Sequence, residues 1–432
     1  MSNVDHYGEA ERLFGDLHQL IVAGSSACED ADAVRDRLDE CWALVTPDER
    51  HLLRGLSEDL YSLCDEEAPR EATIREVTRI AHQLRSAYSG KDWRRTLSLL
   101  RRAHLLTGER SPLTRSEIAH IRARCWSELG RWRPAFWFAA FAASLDPKDA
   151  RFTAFAVRAR YEMGEKSQAV DESMRLVAGK DVPAPLAILV AGIPFDAARE
   201  SILAAPRRNY YAFIAEHLPQ HTSRIRDASP ILFYGLLTLG TALEELRLVK
   251  KAQNVFDELV LRFPSNPNAS AVRGLFLSRI DLARSEPDLT TAVRLGTDLP
   301  EPYLVLAQVS INGRRFDSAV EWCQRGLALS TRPALNALFH HMLAVAHAGR
   351  AAPKREVRAA FSAAISAAPR VTAIRWDRDE YERHQSEGLR SRKVVLAPPQ
   401  PREVRRLSRI ESTGPFLAST GDVESGLGAV IV

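Results

Sequence analysis

The stretch AHIRARCWSELGRWRPAFWFAAFAASLDPKDARFTAFAVRARYEMGEKSQA, residues 119–169, shows one helix-turn-helix pattern twice in the same register. Ala123 and Trp126 precede a turn at Gly130 and Trp132; Ala135, Ala139 and Ala142 then recur along a second helix that stops at Asp146-Pro147. Gly164 and Ala169 repeat Gly130 and Ala135 after 34 residues. Two antiparallel helices need residues without bulk where their axes approach. Ala123 and Ala135 supply that on facing helices, with Trp126 and Phe136 expected to fill the wider space beside the crossing. Pro147 ends the second helix because it lacks an N–H and clashes with the preceding turn.

One such hairpin cannot bury its own apolar faces, so neighbours must stack. The period, with a small residue at each crossing, Gly or a polar residue at the turn and Pro at the exit, resembles the tetratricopeptide repeat. That resemblance implies an all-α fold, a right-handed superhelix of hairpins over residues 69–387, with the first helix of each hairpin lining the inner surface.

Further copies extend from this pair. Gly90 and Trp93 mark a turn, followed by Thr96, Leu100 and Ala103 down one face. Between 182 and 230, Pro183, Pro185, Pro194, Pro206, Pro219 and Pro230 divide the chain into short pieces. Either irregular helices continue the array there or the superhelix bends, and the apolar content, which still demands burial, favours continuation. The register returns at Gly240, with Leu243, Val249, Ala252, Phe256 and Leu259 before Pro264, and a weaker copy surrounds Gly274. Another runs from Tyr303 through Ala307, Phe316, Ala319 and Cys323 to Leu329, with Asn312-Gly313 as its turn. The last places Val345, Val357, Phe361 and Ala364 inward before Pro369, and a charge-rich helix from Ile374 to about Glu387 caps the array.

Residues 1–68 lack the repeat register and read as a helical module of about three helices, 5–23, 30–44 and one opening at Thr46-Pro47. Thr46 as N-cap, Pro47 at the first helical position and Asp48 and Glu49 beside the positive end of the dipole form a strong start signal. Residues 388–432 change composition. Ala397-Pro398-Pro399-Gln400-Pro401 is too proline-dense for a helix, and the Ser-, Thr- and Gly-rich ending predicts a flexible tail.

The chain has 432 residues and a formal net charge of +4. Seven basic against three acidic residues between Glu387 and Glu411 match that excess, which leaves the remainder near neutral and argues against a nucleic-acid footprint on the folded part. The longest apolar runs, 134–145 and 231–243, fall short of the roughly 20 residues of a membrane span. No basic start followed by an apolar core marks a secretory signal. Five cysteines, an odd number with no Cys-x-x-Cys pair, suggest free thiols and a cytoplasmic location.

No catalytic motif is present, neither phosphate loop, dinucleotide fingerprint, nucleophile elbow nor zinc helix, so the expectation is a chain that is not an enzyme and takes no cofactor. His217 and His221 are separated by Pro219, and His340 and His347 stand about 10 Å apart by helical rise, so no metal site is expected.

Under the tetratricopeptide resemblance, the inward positions of the two clear copies include His120, Arg124, Arg151, Arg158 and Tyr161. Arginine's planar fork suits carboxylates, so a protein or acidic peptide partner is expected. The Lys and Asn of the family's chaperone-binding carboxylate clamp are replaced by His120 and Arg124, which argues against chaperone tails. Pairing of these arginines with Glu128 and Glu162 is the simpler alternative.

The tail offers Arg405-Arg406-Leu407-Ser408, similar to a basic-directed kinase substrate, and the apolar end Val430-Ile431-Val432, suited to capture by a partner enzyme or a β-augmenting domain. Two readings stand beside the adaptor: a substrate whose tail a partner enzyme cuts or modifies, and nucleic-acid contact through the Arg-rich tail.

Overall fold

A computed structural model describes residues 5–64, 74–102 and 113–386, and these residues are helical with no strand among them. The expected sites in the tail (Arg405, Arg406, Ser408, Val430, Ile431 and Val432), the opening of the array at 69 and Ala103 lie outside the described residues. The chain divides into two compact units between Ile225 and Arg226, inside the proline-rich stretch.

The first unit holds α1 (His6–Val22), α2 (Glu29–Leu44), α3 (Pro47–Cys64), α4 (Ile74–Ser89), α5 (Trp93–Leu100), α6 (Arg115–Glu128), α7 (Trp132–Leu145), α8 (Ala150–Glu162), α9 (Lys166–Ala178), α10 (Ala184–Glu200), α11 (Ala204–His217) and the short α12 (Pro219–Thr222). The second holds α13 (Pro230–Glu245), α14 (Val249–Arg262), α15 (Pro267–Ser278), α16 (Leu282–Arg294), α17 (Glu301–Asn312), α18 (Phe316–Leu329), α19 (Pro333–Gly349), α20 (Lys354–Ala367) and α21 (Thr372–Ser386).

Local chemistry sets the helix starts. Thr46 Oγ1 accepts from the Glu49 N–H at 3.3 Å while the Glu49 carboxylate accepts from the Thr46 N–H at 2.8 Å, a reciprocal cap at α3. Thr114 and Glu117 form the same box at α6.

One turn geometry closes six of the repeat hairpins, and Gly24 after α1 and Gly296 after α16 share it. Lys91, Gly130, Gly164, Arg247, Arg314 and Ala351 all have φ between 56° and 102°, the left-handed region. The next N–H in each case reaches back five residues, as in Arg131 to Trp126 O at 2.8 Å and Arg315 to Ser310 O at 2.7 Å. These bonds satisfy carbonyls that the helix end would otherwise orphan. The turn expected at Asn312-Gly313 is therefore centred one residue later, on Arg314. Gly240 serves a different purpose: it lies inside α13, where a Cβ would sit 2.6 Å from Phe256 Cε1. The hairpin around Gly274 lacks the left-handed residue. There Asp281 N–H bonds Leu277 O at 2.8 Å and the Asp281 carboxylate caps Ala283 at 3.0 Å.

The alanines at the crossings are fully buried, among them Ala123, Ala135, Ala139, Ala142, Ala169, Ala252, Ala307 and Ala319. Trp126 and Phe138 fill the space between them. Phe136 packs against the same cluster from its edge, half-buried, with the Arg160 guanidinium 4.8 Å from its ring. Val249, at the start of α14, is likewise exposed rather than inward.

The N-terminal helices dock on the first hairpins. Trp137 on α7 presses against Gly15, where a Cβ would lie 2.2 Å from its ring, and the Arg131 guanidinium stacks 3.7 Å from the Tyr7 ring. Asp59 on α3 is wholly buried and takes the Arg101 guanidinium at 3.0 Å, with Arg122 of α6 at 3.9 Å. In the second unit α21 closes the last hairpin through buried Ile374 and Tyr381 and a His341–Asp377 contact of 2.8 Å. The fold is an all-α set of tetratricopeptide-like hairpins.

Candidate functional site

α6, α8 and α10 are the first helices of successive hairpins, and they place four of the five expected residues along one partly open face. His120 sits against Phe152 and Phe155, ring centroids 5.1 and 5.3 Å away, and its Nδ1 is buried without a partner. Burial, with help from the Arg151 and Arg124 charges, pushes the imidazole down to about 4. It is a neutral packing group at ordinary pH.

The arginines differ in what holds them. Arg151 is chelated by Asp149 two residues upstream, at 2.6 Å, and those hydrogen bonds hold its guanidinium above its usual range. Arg158 bridges Glu162 on its own helix and Asp196 on α10. Arg124 lies 6.0 Å from the Tyr88 ring and has no carboxylate in ion-pair reach among the described residues. Of the expected basic patch, two charges are thus compensated and one is left open. The pairing with Glu162 occurs as the simpler alternative held, whereas Glu128 does not take Arg124.

Tyr161 is interior, at 2% exposure. Its phenol faces Glu200, and burial together with that carboxylate raises it well above the usual range. Lys166 completes the corner, 2.5 Å from Glu200 and 5.1 Å from the Tyr161 ring. The remaining face is mixed: Arg124, Phe155, Arg158, Glu162 and Asp196, all half-buried.

Such a face can exchange hydrogen bonds with a polypeptide, and nothing on it is a nucleophile. Burial pushes the Cys125 and Cys323 thiols far up, and both are closed in the core. His221 is buried with Nε2 2.7 Å from Val177 O. Among the described residues no group of three or more His, Cys, Asp or Glu is arranged to hold a metal ion, and no helix is long and apolar enough to cross a membrane.

The part outside the basic tail is near neutral in sum, as expected from the total charge, but its charge is unevenly placed along the chain. Residues 74–102 carry eight basic and two acidic side chains, net +6, while residues 5–64 carry five basic and fourteen acidic, net −9. They sum to −3, which the rest of the chain offsets, so a whole-chain count hides both. A windowed count along the sequence would have separated them.

No protein-family model matches the sequence, and no curated protein matches it either. Among solved structures the chain is similar to yeast Tom70, with 12% identity over 72% of this chain and 73% of that one at a TM-score of 0.31. It is also similar to the TPR domain of P58(IPK), with 13% identity over 74% and 79% at 0.22. Naa15/Naa10 bound to HypK-THB matches with 13% identity over 93% and 63% at 0.31. At such scores the tetratricopeptide-like assignment rests on the chain's own features, the six turns of one geometry and the alanine crossings beside them.

Proposed function

We propose that this tetratricopeptide-like chain is a non-enzymatic adaptor that takes a protein or peptide partner along the face of α6, α8 and α10. The observation that carries the reading is the open chemistry of that face. Arg124 of α6 stands beside Tyr88 with no ion-pair carboxylate among the described residues, and the next two hairpins carry the half-buried Glu162–Arg158–Asp196 network. A guanidinium already placed against an aromatic ring loses little freedom on binding a carboxylate and can grip it with two parallel hydrogen bonds. Arg158 already shows that a guanidinium on this face takes two carboxylates, so an incoming acidic side chain can exchange with Glu162 or Asp196 and keep the charge paired.

The test is fluorescence polarisation against a library of acidic peptides with free carboxyl ends. Arg124→Glu should lower affinity by about tenfold or more, the scale of a charge-assisted pair, whereas Lys250→Glu on exposed α14 should leave it unchanged. Equal affinity in all three proteins would remove this face as the binding site.

A further inference from the structure

The charge separation within the first unit leads beyond the peptide face and is independent of it. On α4, Arg75, Arg79 and His82 follow one another at i, i+4 and i+7, all exposed, and Lys91, Arg94 and Arg95 extend the positive surface into α5. None of these six makes an ion pair among the described residues. Elsewhere arginines find partners readily: Arg273 with Asp288, Arg315 with Glu286 and Arg358 with Glu382. An uncompensated run of cations on one hairpin is therefore a feature of this place.

The matching anions are on α2. Asp32, Asp36 and Asp39 stand at the same i, i+4, i+7 spacing and are all exposed. Asp32 is engaged by Arg35 on its own helix at 2.6 Å, while Asp36 and Asp39 have no partner among the described residues. Glu29 and Glu40 lengthen the row. By helical rise, both rows place charges about 6 and about 10 Å along their axes. Two helices laid side by side thus bring a guanidinium against a carboxylate at two levels, with the His82 imidazole beside the third.

We propose that the chain self-associates by seating the α4–α5 basic hairpin of one copy on the acidic α2 row of a second copy. Every copy brings both faces in equal number, and the two faces do not pair with each other inside one chain. The surface suits protein carboxylates better than a single-stranded nucleic acid, which needs exposed aromatic platforms for its bases. The hairpin's aromatic residues are turned to each other: Tyr88 is buried, and Trp93 packs edge-on against it with centroids 5.5 Å apart. Pairs of this exposed kind are individually weak, so the association depends on the row acting together and weakens with salt.

The experiment is sedimentation velocity of the full chain at about 20 mM and about 500 mM salt, on either side of the ionic strength that screens exposed pairs. The wild type should sediment as an associated species at low salt and as a single chain at high salt. Two charge-reversed variants follow, Arg75→Glu with Arg79→Glu and Asp36→Lys with Asp39→Lys, with circular dichroism confirming wild-type helicity in each. Each variant alone should remain a single chain at both salts. Mixed together, they should associate at low salt, because the reversal on one is complementary to the reversal on the other. The proposal is overturned by a wild type that stays single at low salt, by either variant associating alone as the wild type does, or by a mixture that fails to associate. A wild type that stays single until an oligonucleotide is added, and loses that binding with Arg75→Glu and Arg79→Glu, would overturn it in favour of a nucleic-acid surface.

Discussion

α6 and α17 occupy the same place in their hairpins and bury different chemistry. In α17 every residue from Pro302 to Ile311 is buried, and Gln308, Ser310 and the Tyr303 hydroxyl supply its only polar side-chain atoms. α6 instead buries Arg122, whose Nη2 donates to Leu100 O at 3.0 Å and whose Nε faces Asp59 at 3.9 Å. It also keeps His120 and Arg124 half-buried. The neighbours explain the difference. α15, α16, α18 and α19 all pack against α17, so no side of it stays wet and an uncompensated charge would have no refuge. α6 has α5 and α7 at its flanks and the Asp59 carboxylate of α3 to receive its arginine. One backbone pattern thus accepts a dry helix at α17 and a paired ionic one at α6. The surroundings of α6 should accordingly answer to charge, and those of α17 to volume.

The largest effects should break this contrast directly. Leu304→Ala, at a fully packed position on α17, should destabilise the second unit by about 2–5 kcal/mol through lost transfer energy and a residual cavity. Hydrogen exchange by mass spectrometry should show faster exchange across 301–349 and unchanged exchange in α6 to α9. Asp59→Ala should be of similar size, about 3–5 kcal/mol, because it strands Arg122 in the core without its anion. Replacing Asp59 and Arg122 together by Leu should recover most of that loss, since removing a buried pair is far milder than breaking it. If the single and double variants are equally destabilised, Asp59 matters for shape and not for charge.

A pH series sharpens the contrast at intermediate scale. Burial pushes the Glu11 carboxyl up to about 7, although the Arg131 and Arg133 guanidiniums pull it back. Its folded value is above the unfolded one near 4.5, so the native state holds the proton more firmly and gains stability as pH falls from above 7 towards 4.5. His120 works in the opposite sense. Its folded value near 4 is below the unfolded 6.5, so its contribution is complete above 6.5 and is lost as pH falls towards 4. Glu11→Gln should therefore raise the Tm of the first unit at pH 8 and make little difference at pH 5, where the wild-type group is already neutral. His120→Leu should raise stability relative to wild type below pH 5. A Glu11→Gln protein with the wild-type Tm at pH 8 would mean that Glu11 is solvated and not enclosed where α1 docks on the first hairpins.

How much of this was legible in the sequence depended on whether a feature was local. The alanine crossings, the Gly130 and Gly164 turns and the Thr46 cap all lie within a few residues of their partners and were readable. Thr114 with Glu117 had the same signature as Thr46 with Glu49 and could have been read the same way. The register placed His120, Arg124, Arg151 and Arg158 on one face, yet whether each charge was free lay elsewhere. Asp196 is 38 residues from Arg158, and no spacing rule connects them. Register alone puts Tyr161 on the groove face, and the Glu200 and Lys166 corner that encloses it comes from other helices. The later repeats were faint for a further reason: their turns put Arg247, Arg314 and Ala351, not glycine, in the left-handed position, as Lys91 does in the first hairpin.

Those four positions supply the smallest prediction and the most direct check that the turns are one structure. A non-glycine residue in the left-handed region is strained by about 1–2 kcal/mol. Glycine removes the strain but loses more backbone freedom on folding, about 0.5–1 kcal/mol, so the two terms largely offset. Ala351→Gly, which removes only a methyl group, should stabilise the second unit by about 0.5–1 kcal/mol. Gly130→Ala and Gly164→Ala should move the first unit by a similar amount in the opposite direction. At both glycines a Cβ would meet nothing within 4 Å, so the whole effect comes from backbone conformation and none from a clash. Urea denaturation of the three variants, read as signs rather than sizes, decides the matter. Were Ala351→Gly to destabilise, the turn after α19 would not share the conformation of the turns after α6 and α8, and the six hairpins would not be copies of one unit.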